Sequence, residues 1–246
     1  MPELAHFTEQ HGITFTLLSD EGSKVITDLG LLNRHVEEQQ AFLGRPVEPR
    51  YTGIPYPGLF VLDEDGIIVA KRFEQMYQPR PAPELILEDI IGIDALERAI
   101  TAQAEGNGVR ALAWLADTTY RPMQHFRLHV TIEIGPYLHI YGTPIPDGFT
   151  PLQIEVAAVE GLVVGPVELP DPRPFKIAGL SDEFQVHERT LSMLIPVQAT
   201  SNLGELALAV DVRYQACTDS VCYPPESLRL ALTLKGLDNL RPEPRG

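Results

Sequence analysis

Cysteine is nearly absent from this chain: Cys217 and Cys222 are the only two in 246 residues. So low a count excludes a disulfide-stapled scaffold, and two thiols fall short of the four ligands that structural zinc requires. Cations are also scarce. The formal net charge is −15, which removes the basic face that a phosphate backbone needs, so no nucleic-acid partner is expected. No apolar run approaches the ~20 residues of a membrane helix, and no membrane insertion is expected. The first ten residues contain neither a basic start nor an apolar stretch, so they do not read as a secretory signal. On that reading the chain belongs in the cytoplasm as given, or in the periplasm if the native start lies further upstream. The seven histidines are scattered. His125 and His129 lie on one strand pattern, about 13 Å apart and too far to chelate together. His6, His11, His35 and His187 are expected in solvent. Neither a metal nor a cofactor is expected.

What is present suffices for two domains, since 44% of the residues are hydrophobic. In the first half, positions 4–11 read as the end of a helix closed by Gly12. Positions 13–18 (ITFTLL) form a short apolar run typical of a buried strand. Ser19 or Asp20 can cap a helix over 21–29, with Gly30 beyond it. Positions 33–55 read as a polar, irregular insertion. A hairpin follows, in which 59–62 and 67–70 flank a turn whose Gly66 supplies positive φ. Pro83 can open a helix carrying Ile86, Ile90, Ile93, Leu96 and Ile100. This order resembles an α/β unit that begins in its middle, lacking a first strand and crossover helix.

Positions 104–108 (AEGNG) read as a linker. Beyond them the pattern becomes all-β. Phe126, Leu128, Val130, Ile132 and Ile134 alternate with polar residues, the mark of a half-buried strand. Further strands are expected over 138–141, 152–157, 163–169, 191–199, 206–216 and 228–234. Short strands separated by Gly and Pro turns indicate a β-sandwich.

The cysteines fall between two of those strands, joined by Thr218-Asp219-Ser220-Val221. A hairpin there would set them face to face, with Cα atoms roughly 4.5–5.5 Å apart and able to bond. A bond closing so small a loop stabilises by only ~2 kcal/mol, which weakly motivates a structural disulfide. An exposed loop tip instead gives an incoming thiolate access to sulfur. Redox exchange, a structural disulfide and metal binding all stay open on spacing alone.

The run from Tyr214 through Cys217 and Cys222 to Tyr223-Pro224-Pro225-Glu226 resembles the signature of the N-terminal domain of DsbD thiol:disulfide interchange proteins. Leu138-His139-Ile140-Tyr141 is similar to an earlier strand of that family. The resemblance covers roughly 120–234. It implies an immunoglobulin-like fold and a pair that shuttles between dithiol and disulfide with thioredoxin-like or other thiol/disulfide proteins as partners. It further implies Cys222 as the attacking thiolate, Cys217 as the resolving partner, and Tyr214, Tyr223, Pro224 and Tyr141 around the site. A loop aromatic, Phe175 or Phe184, would shield the pair.

The first half resembles the AhpC/TSA redoxins through positions 11–20 (HGITFTLLSD) and 53–74 (GIPYPGLFVLDEDGIIVAKRFE). That likeness implies a cis bond at Tyr56-Pro57. It does not bring the peroxidatic cysteine, so no peroxidase activity is expected. The expected organisation is therefore an incomplete thioredoxin-like domain over 1–103, a linker over 104–119, an immunoglobulin-like β-sandwich over 120–237 and a tail over 238–246. Thiol–disulfide exchange through Cys217 and Cys222 is the leading expectation. A non-enzymatic interaction module with a structural disulfide is the alternative, and antioxidant activity of the redoxin type ranks below both.

Overall fold

A computed structural model of the chain describes residues 2–42, 44, 46–74, 80, 81, 86, 92, 98–176 and 183–238. Two compact units divide the chain, with the boundary after Arg80. Among the described residues no helix is long and apolar enough to cross a membrane.

The first unit holds helix α1 (Pro2–Gln10), helix α2 (Lys24–Asp28), helix α3 (Val36–Phe42) and a hairpin of strands β1 (Gly58–Leu62) and β2 (Ile68–Phe73). Gly12 follows α1 at φ 59°. The Asp20 carboxylate accepts the Val25 and Ile26 amides, both at 3.0 Å, and these bonds hold its pKa below the usual value. In the hairpin, Gly66 takes φ 78° as the turn requires.

Several expectations fail in this unit. Positions 13–18 form no strand, and Leu18 is 88% exposed. A strand exists only by pairing, and among the described residues β1 and β2 pair with each other in a two-stranded sheet. Part of the supposed insertion at 33–55 folds as α3. The Tyr56-Pro57 bond is trans; among the described residues the cis bond lies at Thr143-Pro144. The helix expected from Pro83 falls largely outside the described residues.

A two-residue strand β3 (Arg80–Pro81) precedes the second unit's first hairpin. That hairpin is β4 (Ile100–Gly106) and β5 (Val109–Leu115), so the expected linker over 104–119 is instead sheet. Asn107 and Gly108, at φ 45° and 73°, turn the chain so that Gly106 pairs with Val109. The Asn-Gly dipeptide was a hairpin signal rather than a break, and the alanines on either side hid the alternation. The remaining strands are β6 (Thr119–Tyr120), β7 (Gln124–Ile134), β8 (His139–Tyr141), β9 (Gln153–Val156), β10 (Leu162–Val164), β11 (Arg173–Lys176), β12 (Glu183–His187), β13 (Thr190–Ala199), β14 (Glu205–Tyr214), β15 (Ala216–Cys217) and β16 (Glu226–Gly236).

One sheet runs β10-β13-β7-β5-β4 and a second runs β6-β16-β14-β9. Their inward residues alternate along each strand: Leu128, Val130 and Ile132 on β7; Met193, Ile195 and Val197 on β13; Leu206, Leu208, Val210 and Val212 on β14; Leu230, Leu232 and Leu234 on β16. Each such Leu or Ile contributes roughly 1.5–3 kcal/mol by leaving water, so the facing sheets form an immunoglobulin-like β-sandwich. A third sheet, β11-β12-β8-β15, holds a smaller apolar cluster of Tyr141, Phe184, Val186 and Cys217. His187, expected in solvent, is buried on β12 in that sheet, and burial lowers its pKa.

Candidate functional site

The cysteine pair arises where one strand changes sheets. β14 pairs with β16 along its whole length, ending at Tyr214 opposite Glu226. Gln215 is the joint. Just beyond it β15 lies beside β8 in the third sheet, with Ala216 opposite Ile140 and Cys217 opposite His139. The loop therefore starts in one sheet and returns to the other, and its two sides carry the two cysteines.

Local hydrogen bonds explain why the loop closes as it does. The Thr218 amide donates to Val221 O at 2.8 Å, and the Tyr223 amide to Ala216 O at 2.9 Å. Thr218 Oγ1 accepts the amides of Ser220 at 3.3 Å and Val221 at 3.0 Å, the short side-chain turn that threonine favours. Gln215 clamps the base: its Oε1 accepts the Thr150 amide at 3.0 Å and its Nε2 donates to Tyr223 O at 3.1 Å. Within this frame Cys217 and Cys222 face each other with Cα atoms 4.0 Å apart and are joined by a disulfide.

The two sulfurs lie in unlike surroundings. Cys217 is fully buried in the small aromatic cluster, whereas Cys222 is exposed beside Val221, Tyr223 and Pro224, all exposed as well. The pair is thus half at a loop tip and half inside the fold. Tyr141 is fully buried, and its hydroxyl lies 3.3 Å from Cys222 Sγ and 3.4 Å from Cys217 Sγ. Disulfide sulfurs carry no hydrogen, so the hydroxyl is the donor. Burial raises the Tyr141 pKa and keeps that proton in place.

Of the other expected residues, Phe175 packs against the cluster that holds Cys217, with its ring 4.4 Å from that of His139. Phe184 lies 5.5 Å from the Tyr141 ring, also within that cluster. Tyr214 faces elsewhere. It belongs to the main core, where the single proton of its hydroxyl has two acceptors in reach, Gly106 O at 2.6 Å and Glu226 Oε2 at 3.1 Å. As the last inward residue of β14 it follows that strand's alternation, not the loop's. Burial first, then the Glu226 charge, raises its pKa.

Sequence reasoning passed over Gln215, Thr218 and His139. The first two flank Cys217 and have side chains that bond backbone in turns, which was a usable signal. His139 had none, because its burial depends on β15 joining β8. Among the described residues no cluster of three or more His, Cys, Asp or Glu could hold a metal ion.

Residues 113–234 match the family described as thiol:disulfide interchange protein DsbD, N-terminal, and residues 1–71 match the AhpC/TSA family. No curated protein matches the chain. Among solved structures, it is similar to the N-terminal periplasmic domain of ScsB from Proteus mirabilis, at 15% identity and TM-score 0.40, over 55% of this chain and 51% of that one. It spans about half the length of that ScsB chain. It is also similar to the Neisseria meningitidis DsbD n-terminal domain in the reduced form, at 15% identity and TM-score 0.33, over 61% of this chain and 94% of that one. A third likeness is to the GAE domain of GGA2p from Saccharomyces cerevisiae, at 10% identity and TM-score 0.34, over 55% of this chain and 97% of that one. The segment matching AhpC/TSA contains no cysteine.

Proposed function

From a segment that matches the DsbD N-terminal family and carries a disulfide, we propose that the chain exchanges disulfides with protein dithiols through Cys217 and Cys222. The observation that carries this reading is the unequal burial of the two cysteines, Cys217 buried and Cys222 exposed. A bond kept only for stability has no need of an exposed cysteine at a loop tip, whereas exchange requires one that a partner can approach.

The step follows from that asymmetry. A partner thiolate bonds to Cys222 Sγ, the Cys217–Cys222 bond breaks, and its electron pair remains on Cys217 Sγ. The Tyr141 hydroxyl, 3.4 Å away, donates a hydrogen bond to the departing sulfur. The partner's second thiol then attacks the mixed disulfide and releases Cys222, which draws its proton from water. Two electrons pass from the partner dithiol to this pair; the partner's two protons go to water, and Cys217 and Cys222 each take one up from it. In the opposite direction the Cys222 thiolate attacks a partner disulfide and Cys217 resolves the intermediate. The exposed rim of Val221, Tyr223 and Pro224 offers a partner protein an apolar edge around the sulfur. Residues 1–71 contain no thiol to react with peroxide, so they contribute no peroxidase step.

Cysteine substitutions test the polarity. Cys217→Ser leaves Cys222 exposed and is expected to attack the disulfide of an oxidised protein partner and accumulate a mixed disulfide, its leaving thiolate staying on the partner, seen by non-reducing electrophoresis. Cys222→Ser leaves only the buried Cys217 and is expected to accumulate little. Equal trapping by both variants removes the assignment. A midpoint potential below about −300 mV, beyond the reach of a glutathione pool, would make the bond structural and end the exchange reading.

A further inference from the structure

His139 lies on β8 directly opposite Cys217 and is 2% exposed. Opposed residues of an antiparallel pair project to the same face, with Cβ atoms about 4.5–5.5 Å apart. The ring is tilted against Phe175 at 4.4 Å and edge-on to Tyr141 at 5.7 Å. Its Nε2 is buried and has no hydrogen-bond partner. Buried polar atoms are rarely left so, and an orphan beside a reactive group calls for a functional account.

The oxidised state explains why the partner is missing. Cys217 Sγ is bonded to Cys222 and carries no hydrogen, so it offers an imidazole nitrogen nothing to accept. Reduction changes that. When the bond opens, Cys217 Sγ keeps the electron pair and takes up a proton, and a thiol then stands opposite an unoccupied acceptor. We propose that His139 Nε2 accepts a hydrogen bond from the Cys217 thiol formed on reduction, making His139 a positioning residue that favours the dithiol state. This rests on the exchange reading above and adds to it a named device for setting the equilibrium.

The surroundings suit a neutral imidazole. Burial lowers the His139 pKa, with Arg173 acting in the same direction and Asp219 and Glu188 opposing it. Arg173 of β11 and Glu188 after β12 form an ion pair with each other. Asp219 comes from the cysteine loop, Tyr141 from His139's own strand and Phe175 from β11. A neutral ring with its proton on Nδ1 leaves Nε2 as an acceptor, the form that can take an S–H donor.

The test compares midpoint potentials of the full chain in dithiothreitol buffers, for wild type, His139→Phe and His139→Gln. Phenylalanine removes the acceptor while filling the ring's space, and the reduced form is expected to lose about tenfold in equilibrium constant. That places the potential about 30 mV lower. Glutamine restores an acceptor oxygen and is expected to return to within about twofold of wild type. A potential for His139→Phe within about twofold of wild type overturns the proposal, as does a glutamine variant no better than phenylalanine. A second readout needs no variant: the nitrogen resonance of His139 Nε2 in wild type should move on reduction, and an unmoved resonance also overturns it. Dithiothreitol replaces the partner here, so a failure of protein–protein exchange would be seen separately in the trapping experiment.

Discussion

At the scale of single residues, the chemistry turns on how a buried sulfur leaves. Cys217 departs as an anion into an apolar cluster, where an uncompensated charge is costly. Tyr141 reaches both sulfurs with one proton, which burial holds on its oxygen across the neutral range. A hydrogen bond to a charged group contributes roughly 1.5 kcal/mol or more, so Tyr141→Phe is expected to slow reductive opening of the disulfide by about tenfold. Stopped-flow reduction by dithiothreitol measures it, and a thermal midpoint close to wild type shows that the fold has survived. An unchanged rate would mean the hydroxyl only packs. The cysteines themselves were legible in the sequence because they are so few and so close. Tyr141 came into view through family resemblance, whereas Gln215 and His139 did not. Their roles follow from one event, the passage of the chain from β14 to β15 in another sheet, and alternation within a strand carries no trace of it. The same blindness placed Tyr214 beside the sulfurs when its hydroxyl is held by Gly106 and Glu226.

At the scale of elements, the turn between β4 and β5 decides whether an edge hairpin forms. Gly108 takes φ 73°, and a Cβ there would meet Leu138 Cδ1 at 2.6 Å. Gly108→Ala therefore combines a strained backbone with a side-chain clash, and is expected to destabilise the chain by about 1–2 kcal/mol. A lowered urea midpoint with unchanged slope would register it. No change would mean that the turn relaxes freely and does not set the register. Strands β7, β13, β14 and β16, each ten or eleven residues long, were legible because large apolar residues alternate along them. Strands β4 and β5 were not, since Ala102, Ala104, Ala111 and Ala113 carry the inward positions and alanine is a weak strand signal. The first half failed for another reason. Its apolar run at 13–18 resembled a strand, but among the described residues it has no neighbour to pair with, and pairing is a property of the whole sheet.

At the scale of the whole molecule, acid pulls stability in opposite directions. The chain carries a net charge of −15, so protonating carboxylates as pH falls relieves repulsion and favours the compact state. Buried histidines oppose this. His129 is stacked on Trp114 with ring centroids 3.7 Å apart, and its pKa is lowered from 6.5 to about 4 by burial, with Arg127 and Arg98 adding to it. The sign follows from which state binds the proton. Above pH 6.5 the ring is neutral whether folded or unfolded, and its contribution is complete. Between pH 6.5 and about 4 the unfolded chain takes up a proton that the folded chain refuses, so stability falls, by about 3 kcal/mol in all. Burial lowers the pKa of His139 and His187 as well, which adds to the loss. Replacing His129 with phenylalanine keeps an aromatic ring on Trp114 and removes the titration without touching the carboxylates. Urea unfolding at about pH 7 and about pH 4.5 should then show wild type losing more stability than His129→Phe, by about 2 kcal/mol. Equal losses would assign the acid sensitivity to the carboxylates and clear the buried ring of any part in it.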